Sequence, residues 1–497
     1  MLPLSEFCTP GVSRPAERPL PGLAALTVLA VLVHGYHLGA DDAAIYIPAV
    51  KQIADPALYP FGAEFFLNHA RLSLFSNLVG GSARIGNIPV DAAILAWHIA
   101  GIFLLLAAAW RLLGLCFTRP AARWCGVAFL AATLSVPVAG TGLAIMDPYL
   151  TARSLSTPAT LFAIAAAFSG RRRAAALWLG LTALIHPQMA VYTAGFLACA
   201  AGLRWSERFR RHPAYGLAAL LPLAFDFAPV TGPARACLLS RTFFFVSTWT
   251  WYQWLGVFAP LLLLAWWRRS GPRHTLPAFR EISGALVPFG LFSTAVALLL
   301  DLVPGLETYN RLQPMRSFHL LYLLFFLLLG GLLGEYLLRA RPFRWALLFA
   351  PLAAAMALVS LAVYPASPHL EWPGADGGNS WLAAFLWIRT HVPKDAVFAL
   401  DPGYMAAPGE DAHGFRAIAE RSVLADALKD SGAVSLFPRL APEWSREVAA
   451  ARGLNRFQPS DFGRLAARYP VTWIVTSHAP AGLLCPYRNT GLAVCRL

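Results

Sequence analysis

The stretch that decides the fold is SFHLLYLLFFLLLGGLLGEYLL, residues 317–338. A helix needs about 17–25 mostly apolar residues to cross a bilayer, and this run meets that length. Further runs of the same kind lie at 345–364 on one side and at 282–300, 250–267, 155–170, 124–139, 90–110 and 20–37 on the other, with a weaker one at 213–227. The composition agrees. Of 497 residues, 57% are hydrophobic and 13% charged, and the mean hydropathy is +0.55. That charged share is about half the usual one. Such values exclude a single water-soluble domain and a disordered chain. They point to a mainly α, polytopic membrane protein.

Residues 174–203 need separate treatment. The stretch is long for one span and short for two, and His186-Pro187 interrupts it near the middle. Proline breaks the helical ladder, so a hairpin of two short helices and one long kinked helix are both open. Charge favours the hairpin. With a cytoplasmic N-terminus, the inner segments 1–19, 111–123, 171–173, 204–212, 268–280 and 339–344 then hold 19 Lys and Arg. The outer loops 38–89, 140–154, 186–188, 228–249 and 301–316 hold 8. That is the positive-inside distribution, and it gives about eleven spans. Arg14 and Arg18 before the first apolar run look like a signal peptide, but Ala40-Asp41-Asp42 does not suit cleavage, so the first helix is expected to be retained.

The net charge is +14 and the pI near 9.8. In a soluble protein this would suggest nucleic acid. Here residues 1–364 carry 27 Lys and Arg against 14 Asp and Glu, gathered in the inner loops, so the charge records topology. No nucleic-acid partner is implied; the lipid bilayer is.

From residue 365 the pattern changes. Residues 365–497 hold 13 Lys and Arg against 12 Asp and Glu. Helices are expected at Ser380–His391, Glu443–Arg452 and Ser460–Tyr469, strands at Ala396–Leu400 and Val471–Thr476, and a hairpin around Arg488–Gly491. The reading is a transmembrane domain, 1–364, and a small extracytoplasmic α/β domain, 365–497, that leans on the outer loops. Cys485 and Cys495 flank the hairpin; a disulfide and two buried thiols are both open.

Acids beside membrane segments are costly and need a reason. Asp41, Asp42, Asp147, Asp226 and Asp301 all map to the outer side. Asp41-Asp42 opens loop 38–89, where Ala43–Ile53 and Ala70–Val79 can form amphipathic helices lying in the interface. A carboxylate at the exit of a membrane helix can act as a general base for an acceptor hydroxyl. Two carboxylates can hold a divalent cation such as magnesium or manganese, with Asp42 and Asp147 the candidates. The plainer reading of Asp42 is a cap for the first of these helices. Arg153 follows Asp147 in the second outer loop, where a surface ion pair is the plainer reading. Arg311 and Arg316 precede the quoted span; Arg316 could hold a lipid phosphate or anchor the interface by snorkelling. His186 could contact phosphate or be a simple polar apex. There is no phosphate-cradling Gly-Lys-Ser/Thr loop and no HExxH zinc motif, so NTP-driven chemistry is unsupported.

Together, Gly39-Ala40-Asp41-Asp42, Asp147 with Arg153, His186-Pro187 and Gln313-Pro314-Met315-Arg316 resemble the GT-C superfamily of integral-membrane glycosyltransferases. The resemblance covers most of the chain in architecture, through short motifs, and is closest to bacterial relatives. It implies an extracytoplasmic transferase of the bacterial inner membrane that uses a polyprenyl-phosphate-linked sugar. Asp41 or Asp42 would deprotonate or orient the acceptor, with Asp147 as the second-loop acid. Arg153, Arg311, Arg316 and His186 would hold the leaving phosphate. Some members need a divalent metal and others do not. No WWDYG motif occurs, which disfavours the oligosaccharyltransferase branch. Donor sugar and acceptor are not specified by the sequence. A surface-polysaccharide polymerase or ligase, a lipid or solute transporter, and a non-catalytic membrane protein are the competing classes. No internal repeat, no Lys or Arg within the spans, and one-sided acids count against the transporter.

Overall fold

The computed structural model describes residues 19–208 and 230–497. The weaker apolar run at 213–227, Asp226, Arg14 and Arg18 lie outside the described residues. Helix dominates. The first helix, α1 (Leu20–His34), leads into three short helices, α2 (Ala43–Ala54), α3 (Glu64–Ala70) and α4 (Phe75–Gly86). Then follow α5 (Val90–Cys116), α6 (Pro120–Ala132), α7 (Ala152–Phe168), α8 (Arg172–Ile185), α9 (Pro187–Arg208), α10 (Gly232–Leu239), α11 (Trp251–Ser270), α12 (Pro277–Leu302), α13 (Phe318–Leu332) and α14 (Pro342–Val363).

Among the described residues, four segments are long and apolar enough to cross a membrane: Val90–Cys116, Pro277–Leu302, Glu307–Leu338 and Pro342–Val363. Of the apolar window in the last, only 11% is buried by protein. Phe343 (77% exposed), Leu347 (66%) and Leu358 (67%) stand on that helix. So large an uncovered apolar surface calls for lipid or another apolar partner. These features fit a membrane protein.

Glycine explains how the opening stretch packs. Gly330 and Gly334 lie one turn apart on the helix entered at Phe318, the small-xxx-small spacing that lets helices approach closely. A Cβ at Gly330 would come within 2.9 Å of the Gly126 Cα of α6, and one at Gly334 within 2.6 Å of the Ala121 carbonyl. The helix then widens into a π turn over Leu333–Leu338. There the buried Glu335 meets Arg119 at 2.8 Å.

Residues 174–203 form two helices, α8 and α9, separated at His186, whose backbone is extended (φ −151°, ψ 90°). Both pack on α7. In the loop after α1, α2 matches the expectation. The second amphipathic helix expected at Ala70–Val79 does not form there: Leu72 and Ser73 make a turn, and α4 starts at Phe75. The Leu74 amide donates to the Leu184 carbonyl at the end of α8, so a tertiary contact sets this boundary.

The C-terminal segment is α/β. It runs α15 (Ser380–His391), β1 (Val397–Ala399), α16 (Phe415–Ala419), β2 (Ser422–Val423), α17 (Lys429–Leu436), α18 (Ala441–Ala451), α19 (Pro459–Arg468), β3 (Trp473–Thr476), β4 (Leu484–Arg488) and β5 (Ala493–Arg496). The sheet order is β2-β1-β3-β5-β4. β1 is parallel to β2 and β3, while β5 is antiparallel to β3 and β4. A Cys485–Cys495 disulfide staples the final hairpin, which resolves the alternative left open by spacing. One buried cluster joins Ile47, Phe75 and Val79 of the first loop to Phe385, Phe398, Phe415 and Val475. The small sheet therefore completes its core on the loop that carries Asp41 and Asp42.

Candidate functional site

Residues 35–42 leave α1 as a ribbon of turns and single bridges gripped from three sides. The Tyr36 amide donates to the His369 carbonyl (3.0 Å), and Glu371 returns a bond to Tyr36 (2.9 Å). The His37 amide donates to the Pro148 carbonyl (2.8 Å) in the second loop. The Asp41 amide donates to the Ala412 carbonyl (2.8 Å), and Gly414 donates to Gly39 (2.9 Å). Gly35 stands at φ 78°, where an added Cβ would meet the His369 carbonyl oxygen at 2.5 Å. A side chain there would break the grip.

Beneath the ribbon sits a buried carboxylate. Glu371 accepts from His37 Nδ1 (2.9 Å), the Leu38 amide (2.9 Å) and His413 Nε2 (2.9 Å). The Glu371, His37 and His413 side chains are all 1% exposed or less. Burial works against both charges, but the paired bonds win. Glu371 stays below the usual carboxyl range, and His413 is raised to about 9 by Glu371 and Glu410.

Asp41 and Asp42 are both half-buried and both meet one cation. Lys429, at the start of α17, places Nζ 2.9 Å from Asp42 Oδ1 and also contacts Asp41 Oδ1. Asp426 fixes that helix start by accepting from the Leu428 (2.7 Å) and Lys429 (2.6 Å) amides. Asp42 stands at the N-cap position of α2, yet its side chain makes no cap bond. The capping reading is thus replaced by an ion pair. Burial pushes the Asp42 carboxyl up; Lys429 first, then Arg316 and Arg153, overcome it and hold the group well below the carboxylate range. Tyr149 donates to Asp41 Oδ2 at 3.0 Å.

Asp147 and Arg153 form an ion pair with each residue 7% exposed, so it is a buried pair and not a surface one. Thr151 caps α7 in a reciprocal box with Ser154, which sets Arg153 in the first turn. Burial raises the Asp147 carboxyl, Arg153 lowers it, and Asp42 and Asp41 raise it again; the net direction is upward. Arg316, in the turn Pro314–Ser317, faces the ring of Phe243 at 5.7 Å, and its Nε is buried without a hydrogen bond. Its guanidinium lies in the fields of Asp42 and Arg153. His186 lies in the fields of Arg153 and Arg316 and keeps a buried Nδ1 without a hydrogen bond. Arg311 is 2% exposed in the preceding turn, Glu307–Leu312. The cation that reaches Asp42 from this region is Arg316.

Five of the seven predicted residues therefore share one electrostatic neighbourhood with Asp42: Asp41 through Lys429, and Asp147, Arg153, Arg316 and His186 through overlapping fields. Sequence reading missed four participants. Lys429 pairs with Asp42, and Arg241 donates to Ser431 Oγ of α17 (2.6 Å) in the field of Asp42; both come from elements remote in sequence. Tyr46 and His69, bonded at 3.1 Å, line the same region on α2 and α3. The spacing of Tyr46 from Asp42, one helical turn, was the available signal for Tyr46.

A divalent ion on Asp42 and Asp147 does not fit this arrangement. Lys429 holds the first carboxylate and Arg153 the second. Among the described residues, no three His, Cys, Asp or Glu side chains gather as a metal set. The site instead sets two arginines near each other beside a carboxylate that is already paired. No protein-family model and no curated protein matches the chain. Fold and site together define a mainly helical protein with membrane-type helices, a small C-terminal sheet and a mixed acidic and basic site where the two meet.

Proposed function

We propose that this protein is a GT-C-like membrane glycosyltransferase that transfers a sugar from a polyprenyl-phosphate donor to an acceptor on the extracytoplasmic face of the bacterial inner membrane. In this reading the chain spans the membrane about eleven times, with the N-terminus cytoplasmic and the C-terminal α/β segment outside. The observation that carries the proposal is the pairing of Arg153 and Arg316. Arg316 lies in the fields of Arg153 and Asp42, Arg153 lies in that of Asp42, and Arg316 keeps an unused buried N–H. Two guanidinium groups in one electrostatic neighbourhood suit a phosphate.

The chemistry follows from the positions. The acceptor oxygen attacks the anomeric carbon, forming the new C–O bond. The bond from that carbon to the donor's phosphate oxygen breaks, and its electron pair leaves with the polyprenyl phosphate. Arg153 and Arg316 stabilise the charge growing on that phosphate. The acceptor proton passes to an aspartate of the Asp41-Asp42 pair, and Lys429 orients both carboxylates. Attack opposite the leaving group inverts the anomeric centre.

The test is transfer of labelled sugar from polyprenyl-phosphate donors by purified protein in lipid. Wild type should turn over, and Asp41→Asn or Asp42→Asn should lose on the order of 100-fold or more. Unchanged turnover in both variants removes the proposed roles.

A further inference from the structure

The C-terminal sheet contains a cleft that the transfer site does not use. Its strand order places β1 between β2 and β3, all three parallel. The chain leaves β1 towards β2 on one side and reaches β3 on the other. In open parallel sheets, ligands bind at the carboxyl ends of the strands where the connections diverge in this way. A cavity of about 420 Å³ lies at that point. It is lined by Asp401 and Tyr404 after β1, Ser477 after β3, Trp381 at the start of α15, and Asn455 and Gly491. Small-molecule pockets are roughly 300–1,000 Å³, so a sugar unit or two would fill it.

The lining specifies the ligand's chemistry. Among the described residues, the lining contains no Lys or Arg. Its one acid, Asp401, is already engaged, accepting from the Gly403 amide (2.9 Å) and the Gly453 amide (2.9 Å). What remains is neutral and hydrogen-bonding. The Asn455 side-chain oxygen accepts from Thr476 Oγ1 (2.9 Å) and the Ser477 amide (2.9 Å), which leaves its NH2 group to donate. Trp381 adds a flat apolar face, held by stacking on Tyr404 with centroids 5.9 Å apart. Neutral polar groups beside an aromatic plate match a polyhydroxylated ring and bring no cationic side chain to a phosphate.

We infer that this cleft is a binding site for a neutral saccharide, namely the sugar of the acceptor glycan. Tyr404 lines both this cleft and the narrow cavity that also has Lys429, the partner of Asp42, in its wall. The identity of the ligand as acceptor rests on the proposed transfer; the saccharide site itself does not.

The test uses the full chain in nanodiscs free of glycoside detergent. Saturation-transfer NMR is recorded with the methyl glycosides of glucose, mannose, galactose and N-acetylglucosamine, and with glucose 1-phosphate. At least one neutral glycoside should receive saturation in wild type and exceed glucose 1-phosphate. Trp381→Ala should weaken that binding roughly tenfold. Ser477→Trp, at an exposed position, should fill the cleft and abolish it. Saturation of no glycoside, preference for glucose 1-phosphate, or binding retained in Ser477→Trp would overturn the inference. Binding without any sugar transfer would leave the saccharide site standing and remove the proposed function; transfer without binding would do the reverse.

Discussion

Lys429 Nζ lies 2.9 Å from the carboxylate of Asp42, which precedes it by 387 residues. This pair joins the loop after α1 to the C-terminal sheet segment at the centre of the proposed site. In Lys429→Met, burial of Asp42 is opposed by Arg316 and Arg153 alone, and the carboxyl moves upward. The acid limb of the pH–rate profile for transfer should shift up by about one unit or more. An acid limb unchanged from wild type would show that Asp42 does not depend on Lys429.

The Asp147–Arg153 pair makes a stability prediction. Each residue is 7% exposed, so removing one partner strands a buried charge. Asp147→Asn should cost about 3–5 kcal/mol, while Asp147→Asn combined with Arg153→Met should recover part of the loss. Thermal unfolding in lipid reads both. Equal midpoints in the single and double variants would mean the two residues are not coupled.

The cluster of Glu371, His37 and His413 makes a pH prediction. The folded value of His413 is raised to about 9 from 6.5, so its contribution to stability is full below 6.5 and is lost as pH rises through 9. Glu410 faces the same histidine and is itself raised to about 9 by burial, which adds to the fall over this range. Glu371 is depressed, so its contribution persists above 4.5 and fades only at lower pH. Wild-type stability should fall between pH 6.5 and 9. In Glu371→Gln the protein should be less stable at pH 6.5 and the slope shallower, because His413 loses the group that charges it. A slope as steep as wild type would remove Glu371 from that role.

Arg316 separates a phosphate contact from an interface anchor. Arg316→Ala should weaken binding of polyprenyl phosphate about tenfold or more, and Arg316→Lys should restore little of it. An ammonium cannot reproduce the guanidinium fork. Full rescue by lysine in a lipid-binding titration would favour the snorkelling role.

Local signals carried much of this molecule. The helix expected at Ser380–His391 occupies those residues, because Asn379 caps it and Val392-Pro393 follows. The helix after Asp42 was equally legible from its amphipathic spacing. The break at His186-Pro187 was visible as proline chemistry. The second loop helix was misplaced because Leu74 bonds to Leu184, a contact no window of sequence contains. Asp147 and Arg153 were legible as neighbours, but their burial depends on the helices around them. Lys429 carried no local signal at all, since its meaning comes from the fold that brings α17 over the first loop. The same holds for Glu371, which looks like an ordinary acid in sequence and becomes a buried anchor for two histidines.

The central claim is inverting transfer at the Asp41-Asp42 pair. Its most direct measurement is NMR of the anomeric centre in the product formed from a β-linked polyprenyl-phosphate sugar. The account predicts an α-linked product with wild type and none above background with Asp41→Asn combined with Asp42→Asn. A product that keeps the β configuration, or one formed equally by the double variant, would contradict it.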